Sequence, residues 1–371
     1  MKPTLFGRWA LGALAASLLA GTGVPALATD ETGAWLVRMS QATRMANYEG
    51  VVVYRGEDVL ETFRVTHRFV DGSERERVQS MTGEVREVLK QNDKLTCLLP
   101  KDRRMTATRP STPKGLFQAL SPERLRQIAT VYDLRQMGEG RVAGRHCRGF
   151  AIAPRDEFRY GYELWADSDT GLPLKLSLVA PDGRLLEQMF FTEVRYPDSI
   201  PDAAFESAVP DDQVRESTVA AVDAIAAAHE REPMQDEHLA VATESVREDA
   251  ERGFGELPPG FRLVRREVHA SAAGLREHLV LSDGLSAISV YRIKRREGAD
   301  AAPSQRLDQM GPLNAYSRTV GATRIMVLGE APRRTIRMIG DSFEPQELES
   351  AGPAPLLQKA AGTPLADDAA R

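Results

Sequence analysis

The segment VLETFRVTHRF, residues 59–69, contains the pattern that decides the fold class of this chain. Its bulky and polar side chains alternate, with Phe63, Val65, His67 and Phe69 on one side and Thr62, Arg64, Thr66 and Arg68 on the other. A period of two residues is that of a β-strand. Because only one side is apolar, the segment predicts an antiparallel sheet with one buried and one wetted face.

Turn signals recur along the chain at the spacing of β-hairpins. They are Asp71-Gly72, Thr82-Gly83, Asn92-Asp93, Gly138-Glu139-Gly140, Asp169-Thr170-Gly171 and Asp182-Gly183. Further strand patterns lie at 48–54, 160–166, 174–179 and 185–194. This succession of strands and turns predicts an antiparallel meander that ends near Pro210.

Two helices are predicted to accompany the meander. Over 32–46, apolar residues such as Leu36 and Met39 recur at helical spacing and can share one face. Over 121–129, Ser121 is placed to cap the start of a second helix. The predicted fold class is therefore α+β and mainly antiparallel β, with a large curved half-barrel sheet, helices on one side of it, and a smaller β-rich domain.

Two domains are expected, because 371 residues exceed the usual size of a single hydrophobic core. We assign 29–210 to the first domain and 256–342 to the second. Residues 211–255, rich in Ala, Glu and Asp, are predicted to be a linker, and 343–371 a disordered tail. Strands of the second domain are predicted at 261–268, 277–281, 287–293, 313–320, 323–328 and 335–339.

Residues 1–28 have the features of a secretory signal peptide. Two cations precede an uncharged apolar run over 9–20, which is shorter than the roughly 20 residues that a membrane span needs. Small residues at Ala26 and Ala28 suit signal peptidase, so we expect cleavage between Ala28 and Thr29. The mature chain is expected to be a soluble protein of the periplasm.

Charge and cysteine content narrow the classes of function. The net charge is -5, and acidic and basic residues are mixed along the chain, which argues against a nucleic-acid partner. The two cysteines, Cys97 and Cys147, both fall in predicted strands of the first domain. A disulfide between them and two separate buried thiols both remain open, because a sequence does not give the distance that a disulfide requires.

Sequence patterns of catalytic or metal sites are missing from the chain. Asp169-Thr170-Gly171 resembles the triplet of aspartic proteases, but its place between a strand and Leu172-Pro173 is typical of a hairpin turn. The six histidines lack metal-ligand spacing, and His67 is interpreted as a core or rim residue of its strand. We therefore expect no cofactor, no metal and no enzyme activity. A hydrolase is kept as the third and least favoured hypothesis for the function.

Five sequence blocks across both domains carry a resemblance to a known family. They are NYEGVVVY at 47–54, RYGYELW at 159–165 with TGLPLK at 170–175, LPPGF at 257–261, HLVLSDGL at 278–285 and VLGEAP at 327–332. The chain resembles the RseB/MucB family of periplasmic sigma-factor regulators, which act on sigma-E or AlgU. The resemblance implies a first domain similar to periplasmic lipoprotein carriers. It also implies binding to the periplasmic part of a single-pass anti-sigma factor, protection of that factor from proteolysis, and release when lipid or lipopolysaccharide accumulates.

The surface for this partner is predicted at the turn Ser282-Asp283-Gly284, where the second domain approaches the first. The second hypothesis is a periplasmic lipid or lipoprotein carrier without a regulatory partner. A concave sheet can hold an apolar ligand. Four methionines either line that binding surface or fill the core: Met81, Met105, Met137 and Met189. The sequence leaves open which lipid is bound and whether the chain forms a homodimer.

Overall fold

A computed structural model describes most of the chain: residues 26–83, 86–92, 94–99, 103–108, 121–207, 215–218, 253–271, 274–294 and 305–344. The first part of the chain contains α1 (Ala26–Met45), β1 (Tyr48–Arg55), β2 (Leu60–Val70), β3 (Ser73–Ser80), β4 (Glu87–Gln91), β5 (Lys94–Leu99), β6 (Arg103–Thr108) and α2 (Pro122–Ile128). It continues with β7 (Tyr132–Val142), β8 (Arg145–Pro154), β9 (Gly161–Asp167), β10 (Pro173–Val179), β11 (Leu185–Arg195), a short 3-10 helix (Asp202–Phe205) and β12 (Arg215–Thr218). The second part contains β13 (Arg262–Ser271), β14 (Gly274–Ser282), β15 (Ala287–Lys294), β16 (Gln305–Met310), β17 (Leu313–Val320), β18 (Thr323–Glu330) and α3 (Arg333–Ser342).

The strands form two sheets. The N-terminal sheet has the order β12-β6-β5-β4-β3-β2-β1-β11-β10-β9-β8-β7, and the C-terminal sheet has the order β13-β14-β15-β18-β17-β16. All pairs are antiparallel except β12 with β6. The alternating segment 59–69 forms β2 from Leu60 onward, and a turn with positive φ at Asp71 and Gly72 joins this strand to β3. The mainly antiparallel fold class is confirmed.

The N-terminal sheet curls around α1. This helix packs against β7, β10 and β2, and its Leu36 and Met39 lie in a core with Phe150, Ile152 and Leu164. Strand β7 also contacts β11, although three strands lie between them in the sheet. Four strand spacings would separate β7 from β11 by about 19 Å in a flat sheet, so the sheet must be strongly curved. We call the side that faces α1 the concave face.

Helix α1 begins at Ala26, before the predicted start at residue 32. The expected cleavage site between Ala28 and Thr29 therefore lies in its first turn, and the rest of the predicted signal peptide, 1–25, lies outside the described residues. In the parts of the chain that the structure describes, no helix has both the length and the apolar character to cross a membrane.

Helix α2 forms where the sequence predicts it. The Ser121 side chain accepts a hydrogen bond from the Arg124 amide at 3.2 Å, which satisfies one of the free N–H groups of the first turn. Leu125 and Ile128 are buried and join the core beneath α1. The cap and the apolar spacing thus act together to position a seven-residue helix.

One predicted turn is wrong. Gly138-Glu139-Gly140 lies inside β7, where Gly138 has φ 106° at a break in the register with β8. The actual turn between β7 and β8 is Ala143-Gly144, with φ 49° and 74°. A glycine with positive φ can serve either a bulge or a turn, and the sequence does not distinguish these uses.

In the second domain, one predicted strand is also wrong, and one strand was missed. Residues 335–339 belong to α3, which packs on β17 and β18 and buries Ile336 and Ile339. The segment is too short for its period to separate strand from helix. Pro332 at the helix N-cap was the sequence signal for a helix. Strand β16 was missed because its polar residues do not alternate with apolar ones.

Two parts of the predicted linker, 211–255, belong to the sheets. Strand β12 adds to the edge strand β6, which offers unpaired backbone groups. Phe254 forms a bridge with Phe343, and both are buried in the core of the C-terminal sheet. Phe343 therefore belongs to this core and not to the predicted tail, and the residues after 344 and the remaining linker residues lie outside the described ranges.

Replacing Gly340 by alanine is expected to lower the free energy of unfolding by about 1–3 kcal/mol. Gly340 lies in α3, and a Cβ there would collide with the ring of Tyr316, which is itself buried. This overpacking opposes the gain of about 1 kcal/mol that alanine normally brings to a helix. Urea unfolding measures the difference.

The matched control is Gly33→Ala in α1, where a Cβ would lie 3.5 Å from Leu125, an ordinary contact. This variant is expected to be slightly stabilised. Equal effects of the two substitutions would contradict the packing of α3 against Tyr316.

Candidate functional site: the junction between the two sheets

The two sheets meet at a buried ion pair. Arg159, in the loop between β8 and β9, is fully buried, and its Nη1 donates to Asp283 Oδ2 at 2.8 Å. Asp283 lies in the turn between β14 and β15, so this bond joins the N-terminal sheet to the C-terminal sheet. Asp156 holds the other edge of the guanidinium with bonds of 3.0 and 3.1 Å, and the carbonyl of Pro259 accepts a further bond.

Every oxygen of Asp283 has donors. Oδ2 accepts from Arg159 and from the Tyr132 hydroxyl at 2.9 Å. Oδ1 accepts from the backbone amides of Leu285 and Ser286 at 2.9 and 2.8 Å. A carboxylate that accepts bonds from two residues of the N-terminal part and from two amides of its own turn fixes the position of the turn against Arg159.

Burial and charge set the ionisation of this cluster. Burial by itself lowers the pKa of Arg159, but Asp156, Asp283 and Tyr132 outweigh it and hold that pKa above its usual value. Burial and the Asp283 carboxylate raise the pKa of Tyr132 well above its usual value. Arg159 therefore stays charged and Tyr132 stays protonated at any physiological pH, so the junction does not depend on pH through these two groups.

A second group of hydrogen bonds lies beside the ion pair. Asn314 donates to the Tyr160 hydroxyl at 3.1 Å, and that hydroxyl donates to the Pro312 carbonyl at 3.3 Å. Thr335, in the first turn of α3, donates to the Phe158 carbonyl at 2.7 Å. The loop 156–160 thus contacts four different parts of the second half of the chain: Pro259, the turn at Asp283, the segment 312–314 and the start of α3. We call Tyr132, this loop, Asp283, Asn314 and Thr335 the junction.

The turn predicted as a partner surface, Ser282-Asp283-Gly284, lies inside this junction. Ser282 bonds within the turn, to the Ser286 carbonyl and the Gly284 amide. Gly284 has φ 103°, and a Cβ there would lie 2.8 Å from Ile128. The turn therefore lies where the second domain was predicted to approach the first. The side chains of Ser282 and Asp283, however, form their bonds within the chain. Its role toward a partner stays a prediction.

Arg159 and Tyr132 were not predicted as junction residues from the sequence. The available signal was a charged residue within the aromatic run Phe158-Arg159-Tyr160. A buried arginine needs a carboxylate partner. Which carboxylate it meets depends on the tertiary fold, because Asp283 is 124 residues away.

The cysteines lie on strands far apart in the N-terminal sheet. Cys147 is a free, buried thiol on β8, and the backbone of Cys97 lies on β5. Seven strands separate β5 from β8 in the sheet order, namely β4, β3, β2, β1, β11, β10 and β9. Of the two alternatives left open, the structure has Cys147 without a disulfide, and burial raises the pKa of its thiol.

Part of the concave face is accessible. Met189 on β11 is paired with Leu176 and Tyr54, and Leu176 packs toward the core under α1. Directly paired residues share a face, so Met189, which is 44% exposed, lies on the concave face. Met81 and Met137 are also exposed, so these three methionines are not core filling. The side chain of Met105 lies outside the described parts.

A small cleft lies at the edge of the two sheets. It has a volume of about 120 Å³ and is lined by residues of the β1–β2 and β10–β11 turns together with Gly311. Pockets for drug-sized ligands hold roughly 300–1,000 Å³, so this cleft is too small for a lipid molecule.

The remaining sequence candidates have structural roles. Asp169-Thr170-Gly171 forms the turn between β9 and β10, as predicted, and Asp167 accepts the amides of Asp169 and Thr170. Arg145 and Tyr196 also bond to Asp167, and these bonds outweigh its burial and lower its pKa. Among the described residues, no group of three or more His, Cys, Asp or Glu is placed to hold a metal ion.

The curved sheet, the second sheet and the junction define a two-part β-rich protein whose halves are joined by buried polar contacts. Two family models match the chain: the MucB/RseB N-terminal domain over residues 31–209 and the MucB/RseB C-terminal domain over 247–344. The chain belongs to the MucB/RseB family.

Relatives and solved structures agree with this assignment. The sigma factor AlgU regulatory protein MucB of Pseudomonas aeruginosa is 31% identical over 330 residues, which are 87% of this chain and 94% of that protein. The sigma-E factor regulatory protein RseB of Haemophilus influenzae is 23% identical and covers 82% of this chain and 88% of its own length. The structure of the P. aeruginosa MucA/MucB complex matches with a TM-score of 0.60 at 28% identity, over 85% of this chain and 99% of that chain.

Proposed function

We propose that this protein is a periplasmic negative regulator of an extracytoplasmic-function sigma factor. In this proposal it binds the periplasmic part of a membrane anti-sigma factor and protects that part from proteolysis. Lipid or lipopolysaccharide is the signal that releases the anti-sigma factor. The proposal is supported by the match of both halves of the chain to MucB in its complex with MucA.

The proposal includes export and a two-domain layout. The signal peptide is removed between Ala28 and Thr29, and the mature chain acts in the periplasm. Residues 29–210, with β12 added to their sheet, form the lipid-sensing domain, and 256–342, with Phe254 and Phe343 added to their core, form the smaller domain. The junction residues already bond to one another between the two sheets. The partner therefore binds either to surfaces outside the junction or to a conformation in which the turn at Asp283 has separated from Arg159.

A binding assay tests the partner. The full-length chain is mixed with the periplasmic segment of the single-pass membrane protein encoded beside its gene, and the complex is isolated by pull-down. We expect a stable complex that lipopolysaccharide weakens and that protects the segment from the protease that begins its degradation. Failure to bind that segment in the absence of lipopolysaccharide would contradict the proposal.

The alternative is a lipid or lipoprotein carrier without a regulatory partner. The exposed Met189 on the concave face favours it, because apolar side chains on a curved sheet suit an acyl chain. Native mass spectrometry of the chain incubated with phospholipid vesicles distinguishes the two proposals. Bound acyl chains together with no binding of the anti-sigma segment would support the carrier.

The proposal assigns no reaction to the protein. The family it belongs to is one of regulatory proteins. Whether the protein acts as a monomer or as a homodimer is read from its mass by light scattering, alone and with the anti-sigma segment.

A further inference from the structure

Three hairpin turns meet around the small cleft at the edge of the two sheets. The cleft is lined by residues 55–57 of the β1–β2 turn, residues 184–186 where β11 begins, and Gly311 of the β16–β17 turn. A Cβ at Gly311 would lie 3.4 Å from Glu187 Oε1, so the β16–β17 turn packs next to β11. The cleft therefore belongs to both halves of the chain, and it lies outside the junction.

Large apolar side chains around this cleft are exposed to solvent. Four of them are between 40% and 71% exposed: Val59, Leu60, Leu185 and Met310. Leu185 lines the cleft, Met310 directly precedes Gly311, and Leu60 is paired with Arg55 across β1 and β2. Turns usually carry small and polar residues, and a group of exposed apolar side chains marks an interaction site. We call these four residues the turn patch.

The described residues of the three turns and of the strand ends beside them carry more acidic than basic groups. The guanidinium groups are those of Arg55 and Arg184. The carboxylates are those of Glu57, Asp58, Asp182, Glu187 and Glu330. Glu187 and Glu330 come from different sheets, and burial together with the charge of Glu187 raises the pKa of Glu330. The surface around the turn patch is therefore both apolar and negatively charged.

This composition favours one kind of occupant. A second copy of the chain, bound by a twofold symmetric contact, would place the same carboxylates opposite each other. An anionic membrane surface would repel them as well. A polypeptide that presents apolar side chains beside Lys or Arg is complementary to the turn patch in both respects.

We propose that the turn patch is the docking surface for a basic, amphipathic segment of the periplasmic part of the anti-sigma factor. This inference rests on the proposed function, which supplies the partner. The apolar side chains of the segment cover Leu60 and Met310, and its cations face Glu57 and Asp58. Because the turn patch takes residues from both halves of the chain, the segment binds while the junction holds the two sheets together.

The first test removes the apolar side chains. The probe is the fluorescently labelled periplasmic segment of the single-pass membrane protein encoded beside the gene, and its affinity for the full-length chain is measured by anisotropy. Leu60→Gln and Met310→Gln, one in each half, are each expected to weaken binding by roughly five- to tenfold, as for an apolar anchor of an interface. The matched control is Met45→Gln, since Met45 is 60% exposed at the end of α1 and lies outside the turn patch.

The second test reverses a charge. Glu57→Lys is expected to weaken binding by roughly fivefold at low salt and by less at high salt, because salt screens charges at the surface. The affinity of the unaltered chain is itself expected to fall as salt is added. The control is Glu193→Lys, since Glu193 is an exposed carboxylate on β11 that is paired with Val51, away from the cleft.

The outcomes distinguish this inference from the proposed function. Weaker binding by Leu60→Gln, Met310→Gln and Glu57→Lys, with both controls unchanged, supports the docking surface. Equal binding by all variants and the unaltered chain overturns the docking surface and leaves the proposed function standing. Absence of binding by the unaltered chain overturns both.

Two further measurements examine the other occupants. Light scattering that shows a dimer of the unaltered chain but a monomer of Met310→Gln would assign the turn patch to a second copy. Sedimentation with phosphatidylglycerol vesicles that is lost in Met310→Gln would assign it to a membrane surface. Either result overturns the proposal.

Discussion

Replacing Asp283 by alanine is expected to lower the free energy of unfolding by about 3–5 kcal/mol, because it leaves the charge of Arg159 buried without its partner in the other sheet. Both side chains of this ion pair are fully buried. The same substitution removes the acceptor for Tyr132 and for the amides of Leu285 and Ser286. The two sheets are therefore expected to lose their common transition and to unfold in two steps, which calorimetry and urea unfolding detect.

Two further variants help to interpret this result: one removes only the charge of Asp283, and the other breaks an exposed ion pair for comparison. Asp283→Asn keeps an oxygen for the turn amides but removes the negative charge, so it isolates the cost of the unpaired Arg159. Asp308→Ala breaks an exposed ion pair with Arg306 on the same sheet and is expected to cost less than about 1 kcal/mol. If the Asp283 and Asp308 variants were equally stable, the junction would not hold the sheets together.

The second large effect is expected at Glu74 and depends on pH. Burial raises the pKa of Glu74, but hydrogen bonds from His67 and Lys90 outweigh this and lower the pKa from 4.5 to about 2. Because the folded pKa is below the unfolded one, the charged carboxylate stabilises the fold above the unfolded value of 4.5. This contribution, on the order of 3 kcal/mol, is lost as the pH falls through 4.5 towards about 2.

Urea unfolding of the unaltered chain and of Glu74→Gln, measured from pH 7 to pH 2.5, tests this expectation. The difference between the two proteins should be about 3 kcal/mol at pH 7 and should shrink steadily towards acid. The control is Glu123→Gln, an exposed residue of α2, for which a small difference is expected at all pH values. A difference for Glu74→Gln that is the same at both ends of the pH range would refute the assigned network.

The strand-rich architecture was predictable from local patterns because the period of side-chain polarity reports directly on burial. The alternation over 59–69 predicted β2, and the apolar spacing in α1 predicted a helix with one packed face. Prediction failed where one signal serves two structures. Gly138 formed a bulge and not a turn, and 335–339 formed a helix because the core of the C-terminal sheet takes up Ile336 and Ile339.

The candidate site was predictable only in its location. The turn at Asp283 was expected where the second domain approaches the first, and the structure has it there. Its contacts with Arg159 and Tyr132 were not predictable, because each bond joins residues more than a hundred positions apart. The contacts of His67 with the Ala46 carbonyl and with Glu74, 21 and 7 residues away, were missed because they depend on how α1, β2 and β3 pack.

The sequence by itself determined the class of fold, the positions of most strands and the resemblance to the MucB/RseB family, because these depend on side-chain period, turn residues and local blocks. Only the tertiary structure decided which polar groups meet inside the protein: Arg159 with Asp283 at the junction, and Glu74 with His67 and Lys90 in the N-terminal sheet. The physical reason is that a buried charge is tolerated only beside its partner, and the partner is brought there by the packing of distant strands.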